Sequence, residues 1–310
     1  MHDSLPLRVF LALSLGAVAI SVAAILIRWT DAPALVIATA RLGIAALLIV
    51  PVGVLRAGDE LRSLTRRDVA LSALSGLFLA IHFISWITSL GLTSVASSVV
   101  LVTTSPLWAG VLAPLVSQDR LTRAMALGIV LATVGGIIVG AGDFTLAGTA
   151  LRGDSLALLG AVMAALYLLA GRGVRRKVSL LGYITVSYSV AALVLLALAL
   201  ASGQRFGGYS SQTYLLLVLI AVVPQIIGHS SYNYALGWFS ASFVAVALLA
   251  EPVGATILAA LLLGEPITPS KVVGGLLILF GIYLAARGEE PRPGRAPHSD
   301  TVLTPWEEGA

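Results

Sequence analysis

The chain has 310 residues, of which 58% are apolar and 11% charged, with a mean hydropathy of +0.99; a soluble domain carries about 25% charged side chains, so a water-soluble fold is excluded. The net charge of +4 comes from basic residues spread over short connections, which argues against nucleic acid as a partner and points instead to membrane orientation. With no cysteine, the chain has no disulfide framework, thiol nucleophile or thiolate metal site.

Runs of about 18 or more predominantly apolar residues mark membrane helices, and the chain contains ten. They lie near 7–27, 33–55, 69–90, 96–116, 123–140, 154–171, 180–201, 212–236, 240–263 and 270–286. The first carries Arg8 near its start, like a secretory leader, but it is longer than such a segment and has no A-x-A-like cleavage site before Arg28. It is expected to remain as a helix. The second span holds Arg41, either a counter-ion for a substrate carboxylate or a snorkelling, ion-paired residue.

The third span places Phe78, His82 and Trp86 at i, i+4 and i+8, so one stripe carries an imidazole between two aromatic rings, with Ser85 and Ser89 alongside. The fourth offers Ser97, Ser98, Thr103, Thr104, Ser105 and Trp108 around Pro106. Proline removes a helical hydrogen bond and frees the carbonyl about four residues earlier. That carbonyl, with Thr103 and Thr104, either accepts from an ammonium group or is part of ordinary packing at a kink. Trp108 presents a flat face for stacking against an aromatic or cationic substrate.

Gly128, Gly135, Gly136 and Gly140 in the fifth span permit close backbone approach. The sixth and seventh contribute Tyr167, Tyr183 and Tyr188, whose rotational phase the sequence leaves open. The eighth carries Gln225, His229, Tyr232 and Asn233 at a helical period. For His82 and His229 the alternative to a binding role is a hydrogen bond to a neighbouring helix. Trp29, Trp238 and Phe239 sit at span ends as interfacial anchors. The ninth span holds Glu251 beside Pro252. This intramembrane carboxylate is either a coupling or substrate-contact group or a structural acid that holds the kink, with Arg41 a possible partner. Gly274, Gly275 and Gly281 line the tenth.

The second half repeats the first. A shift of 146 positions superimposes Leu90 on Leu236, Gly91 on Gly237, Ser94 on Ser240, Pro106 on Pro252, Asp119 on Glu265, Gly128 on Gly274 and Gly135 on Gly281. Trp86 then falls on Tyr232 and Ser105 on Glu251. Each half holds five spans, and an odd number returns the chain on the opposite face of the bilayer. The expected organisation is therefore a five-helix repeat over 1–143, an inverted one over 144–287, and a disordered tail rich in Pro, Glu and Arg over 288–310. Pro106 and Pro252 are the expected hinges.

If the amino terminus is cytoplasmic, the inner segments hold Arg8, Arg56, Arg62, Arg66, Arg67, Arg120, Arg123, Arg172, Arg175, Arg176, Lys177, Arg287, Arg292 and Arg295. The outer ones hold only Arg28, Arg152, Arg205 and Lys271. This bias of roughly three to one or better puts both termini in the cytoplasm. The short connections leave no room for an extramembrane catalytic domain, and no phosphate-binding G-x-x-x-x-G-K-[ST] loop is present.

Ten helices in two five-helix repeats, Pro106 and Pro252 in their fourth helices, Asp119 and Glu265 in the following loops, and Glu251-Pro252 followed by Gly264-Glu265-Pro266 together resemble the drug/metabolite transporter superfamily. The likeness covers about residues 7–286 and is nearest to the EamA branch and, within it, the aromatic amino acid exporters. The resemblance implies a basket of helices around a central cavity, export of small metabolites across a bacterial-type inner membrane, and no organic cofactor. Aromatic and other amino acids are the expected substrates, with cationic drugs, organic acids or sugar derivatives as the alternative. The expected assembly is a monomer or weak homo-oligomer in the lipid bilayer. His82, Trp86, Trp108, Tyr232 and Asn233 are the principal candidates for substrate contact, with Phe78, Thr104 and His229 beside them and no metal or catalytic group among them.

Overall fold

A computed structural model describes residues 7–93, 95–116, 121–140, 149–263 and 266–289. All regular structure in them is helical. Ten apolar helices follow in chain order: α1 (Leu7–Trp29), α2 (Ala34–Ser63), α3 (Arg66–Ser89), α4, α5 (Arg123–Gly140), α6 (Thr149–Arg175), α7 (Leu180–Ala201), α8 (Ser211–Ala235), α9 and α10 (Pro269–Gly288). Among the described residues, nine are long and apolar enough to cross a membrane, while α5 offers a shorter apolar stretch. Asp119, Gly264, Glu265 and nearly all of the 288–310 tail lie outside the described residues.

Polar residues at the helix ends set the boundaries. Thr65, Ser179, Ser210, Ser240 and Thr268 each accept a hydrogen bond from the backbone N–H three residues on, satisfying a donor that the first turn leaves free. Between α7 and α8, Gly203 and Gly208 take positive φ values of 66° and 92°, which only glycine adopts without strain. Two boundaries depart from the hydropathy reading. Helix α2 continues through charged Arg56, Asp59 and Glu60 to Ser63 with a kink at Ala57, and α6 begins at Thr149, not near 154. In both cases a polar helical turn continues beyond the apolar stretch.

Helices α4 and α9 are each broken. The first consists of Val95–Val102 and Ser105–Val116, the second of Ala241–Leu248 and Ala250–Leu263. Under the 146-residue shift Thr103 meets Leu249, so both helices break at the same point of the repeat, three residues before Pro106 and Pro252. Neither proline can donate to the carbonyl four residues back, Val102 or Leu248, and the α-helical ladder fails there. Helix α8 contains a third irregularity, a π-helical run over Ala221–His229 that includes Pro224.

Equivalent helices pack on one another. Helix α2 runs against α7, with the Thr39 hydroxyl donating to Leu195 O at one end and the Glu60 carboxylate accepting from Ser179 at the other; the two are antiparallel. Helices α5 and α10 form the tightest seam. A Cβ on Gly128 would stand 2.6 Å from Gly281 O, and one on Gly135 2.6 Å from Gly274 O. The order of these contacts makes α5 and α10 antiparallel as well. Helix α3 packs on α6, and α1 on α8; these are not repeat mates, but the 146-residue shift carries α3 onto α8 and α1 onto α6, so the two contacts correspond to each other. Exposed leucines and valines such as Leu47, Leu55, Leu115, Leu261 and Leu276 cover the outside, as expected of a surface facing lipid.

Candidate functional site

The breaks in α4 and α9 open onto the same space. A cavity lies between α1, α2, α3, α4, α6, α8 and α9, with about 650 Å³ of empty space that includes its opening to the outside. Val102, Thr103 and Ser105 border it from the α4 break, and Leu248, Leu249 and Glu251 from the α9 break. Ser105 and Glu251 are equivalent under the repeat, so two matching positions face one chamber with different chemistry.

Helix α3 supplies the aromatic wall. His82 Nδ1 donates to Gly160 O at 2.8 Å, since a carbonyl oxygen only accepts; this orientation leaves Nε2 as an acceptor. Its ring lies parallel to Trp86, with centroids 6.1 Å apart and planes inclined by 8°. Phe83 completes the wall and stands T-shaped to His229, with ring centroids 5.2 Å apart. Tyr167 from α6 lies 6.4 Å from the same imidazole.

Two charged side chains reach the cavity. Arg41 is 1% exposed. Its Nε donates to Gln225 Oε1 at 2.8 Å, its guanidinium lies 4.0 Å over the Phe83 ring, and its Nη1 has no hydrogen-bond partner. Glu251, half-buried at the start of the second half of α9, has no hydrogen-bond partner for its carboxylate among the described residues; its backbone carbonyl accepts from Ser21 at 3.4 Å. The two groups interact electrostatically. They are not joined by an ion pair within 4.0 Å. Among the described residues, no three His, Asp or Glu side chains converge as metal ligands would.

The sequence candidates divide into two groups. His82, Trp86, His229, Arg41 and Glu251 border the cavity. Asn233 lies behind it, accepting from the Tyr167 hydroxyl at 2.7 Å and donating to Tyr188 at 3.2 Å, while Tyr188 also contacts Ser230. Tyr232 is 1% exposed and reaches Ala247 O at 3.4 Å. Phe78 and Trp108 pack partly buried against the core, and the Trp108 indole N–H has no partner. The Thr104 hydroxyl folds back on Leu101 O at 2.7 Å. Phe83, which the α3 stripe does not include, is the repeat counterpart of His229; that correspondence was the signal that could have found it.

The EamA-like transporter family profile matches this chain twice, over residues 7–141 and 151–287. The chain belongs to the EamA-like transporter family. This transporter is 25% identical over 201 residues to an uncharacterised transporter of Archaeoglobus fulgidus, covering 64% of this chain and 71% of the relative. It is 24% identical over 220 residues to the uncharacterised transporter YdfC of Bacillus subtilis, covering 70% and 71%. A crystal structure superimposes with a TM-score of 0.75 at 20% identity, over 90% of this chain and 96% of the other; at that identity the likeness is one of fold. The EamA-like chain is thus a multi-pass membrane transporter, and its binding chemistry has to be read from its own cavity.

Proposed function

We propose that this EamA-like transporter exports small amphipathic metabolites, with aromatic amino acids as the leading class. The two five-helix halves are inserted upside down relative to each other and rock about the cavity, exposing it first to one side of the inner membrane and then to the other. Both termini are cytoplasmic, in keeping with the distribution of Lys and Arg. The carrying observation is the cavity itself: His82, Phe83 and Trp86 form a broad aromatic wall in a space that hydrogen-bonding and charged groups also border. Ring stacking suits the apolar end of an aromatic amino acid, and the polar groups suit its backbone. Proteoliposomes loaded with a mixture of amino acids test this reading. Carrier-dependent efflux of phenylalanine, tyrosine or tryptophan is expected; efflux of none of them by folded protein would overturn it.

A further inference from the structure

We infer that the cavity selects a dipolar ligand by two opposite charges, Arg41 taking its carboxylate and Glu251 its ammonium group. This deepens the amino acid reading above and rests on it. The argument starts from unmet valence. A guanidinium carries five N–H donors, and Arg41 commits its Nε to Gln225 and its face to Phe83 while Nη1, buried beside the cavity, is unpartnered. Buried donors without acceptors are costly. Glu251 has the complementary want: an anionic acceptor bordering the same space, with no donor on its carboxylate among the described residues.

The two charges would satisfy each other if they met, and they are held apart. Arg41 is tied to α8 by Gln225 and to α3 by Phe83, whereas Glu251 is fixed at the start of a half-helix packed against α1. A ligand with a carboxylate and an ammonium on the same carbon, as in an α-amino acid, bridges them with a charge-assisted hydrogen bond at each end. A ligand with one charge does worse. An organic acid answers Arg41 and sets a like charge beside Glu251; an amine answers Glu251 and sets a like charge beside Arg41.

The repeat sharpens the assignment. The counterpart of Arg41 is Ser187 and that of Glu251 is Ser105. Each half therefore contributes one charge, of opposite sign, with a serine at the mirrored place. The cavity is chemically polarised although the fold around it is pseudo-symmetric, and a dipolar ligand has one preferred orientation in it.

Counterflow of labelled phenylalanine into proteoliposomes containing the full-length protein tests the assignment, with unlabelled phenylalanine, phenethylamine and 3-phenylpropionate as competitors. Phenylalanine should compete at least about tenfold better than either analogue, a factor worth about 1.4 kcal/mol. Arg41→Gln should bring phenylalanine level with phenethylamine, and Glu251→Gln should bring it level with 3-phenylpropionate. Arg41→Lys and Glu251→Asp keep the charges and should keep the preference, which guards against variants that merely misfold. Equal competition by all three compounds, with phenylalanine exchange intact, would overturn the charge pair and leave amino acid export standing. No phenylalanine exchange by folded wild-type protein would overturn both.

Discussion

The α5–α10 seam and the chamber between α4 and α9 are both made from repeat-equivalent helices, and they use space in opposite ways. At the seam, glycine brings backbone against backbone until a single added carbon has nowhere to go. At the chamber, each helix breaks just before a proline, and polar groups beside the cavity, Arg41 Nη1 and the Trp86 indole N–H, are left without partners. One pseudo-symmetric plan thus yields a joint and a void. In the membrane, where lipid supplies no hydrophobic drive between helices, close packing of small residues secures the joint, and unmet polar groups mark the void as a place for a ligand.

The comparison breaks most completely at Gly135. A Cβ there would lie 2.6 Å from Gly274 O and 2.8 Å from Ile278 N, both backbone atoms that cannot swing away. Gly135→Leu is expected to cost about 3 kcal/mol or more, seen as loss of monodisperse protein and a sharply lower melting temperature. A variant that melts like wild type would show that the seam is not closed as described. The two tryptophans give the next largest contrast. Trp86→Ala removes part of the cavity wall and should lower aromatic amino acid transport about tenfold, equivalent to about 1.4 kcal/mol, in protein that still folds. Trp108→Ala should leave transport intact and lower stability; the reverse ranking in a proteoliposome assay would move the binding surface to α4. The smallest effect is at the cavity's polar backing. Tyr167→Phe deletes the hydrogen bond to Asn233 and should destabilise by about 0.6–1.5 kcal/mol in thermal unfolding, and an unchanged melting curve would mean that Asn233 finds another donor.

Most of the fold was legible because a bilayer leaves few choices. Ten apolar runs, the doubled prolines and the glycine series are written in composition and spacing, and the helices follow them. The coincident breaks at Thr103 and Leu249 were foreshadowed only as kinks. Rotational phase was the harder matter. Trp86 and Trp108 look equally suitable in one dimension, yet only the first borders the chamber, since which face of a helix turns inward depends on its neighbours. Arg172 and Arg175 read as topological charges near a helix end. Both are buried, and they donate to Leu236 O and Asn233 O at the carboxyl end of α8, a role that needs the tertiary structure to be seen. For Arg41 and Glu251 the sequence allowed an ion pair, which the anchoring of Arg41 by Gln225 and Phe83 prevents.

The π-helical run from Ala221 to His229 has a mechanical meaning. A π turn holds more residues than an α turn of the same rise, so α8 carries slack in the middle of its length. Within that slack, Gln225 grips Arg41; beyond it, Asn233 and Tyr232 are pinned to Tyr167 and Ala247. The π-helical run, which reaches the chamber at His229, is thus held to α2 through Arg41, while the turn that follows it is held to α6 and α9, so two successive parts of one helix answer to different neighbours.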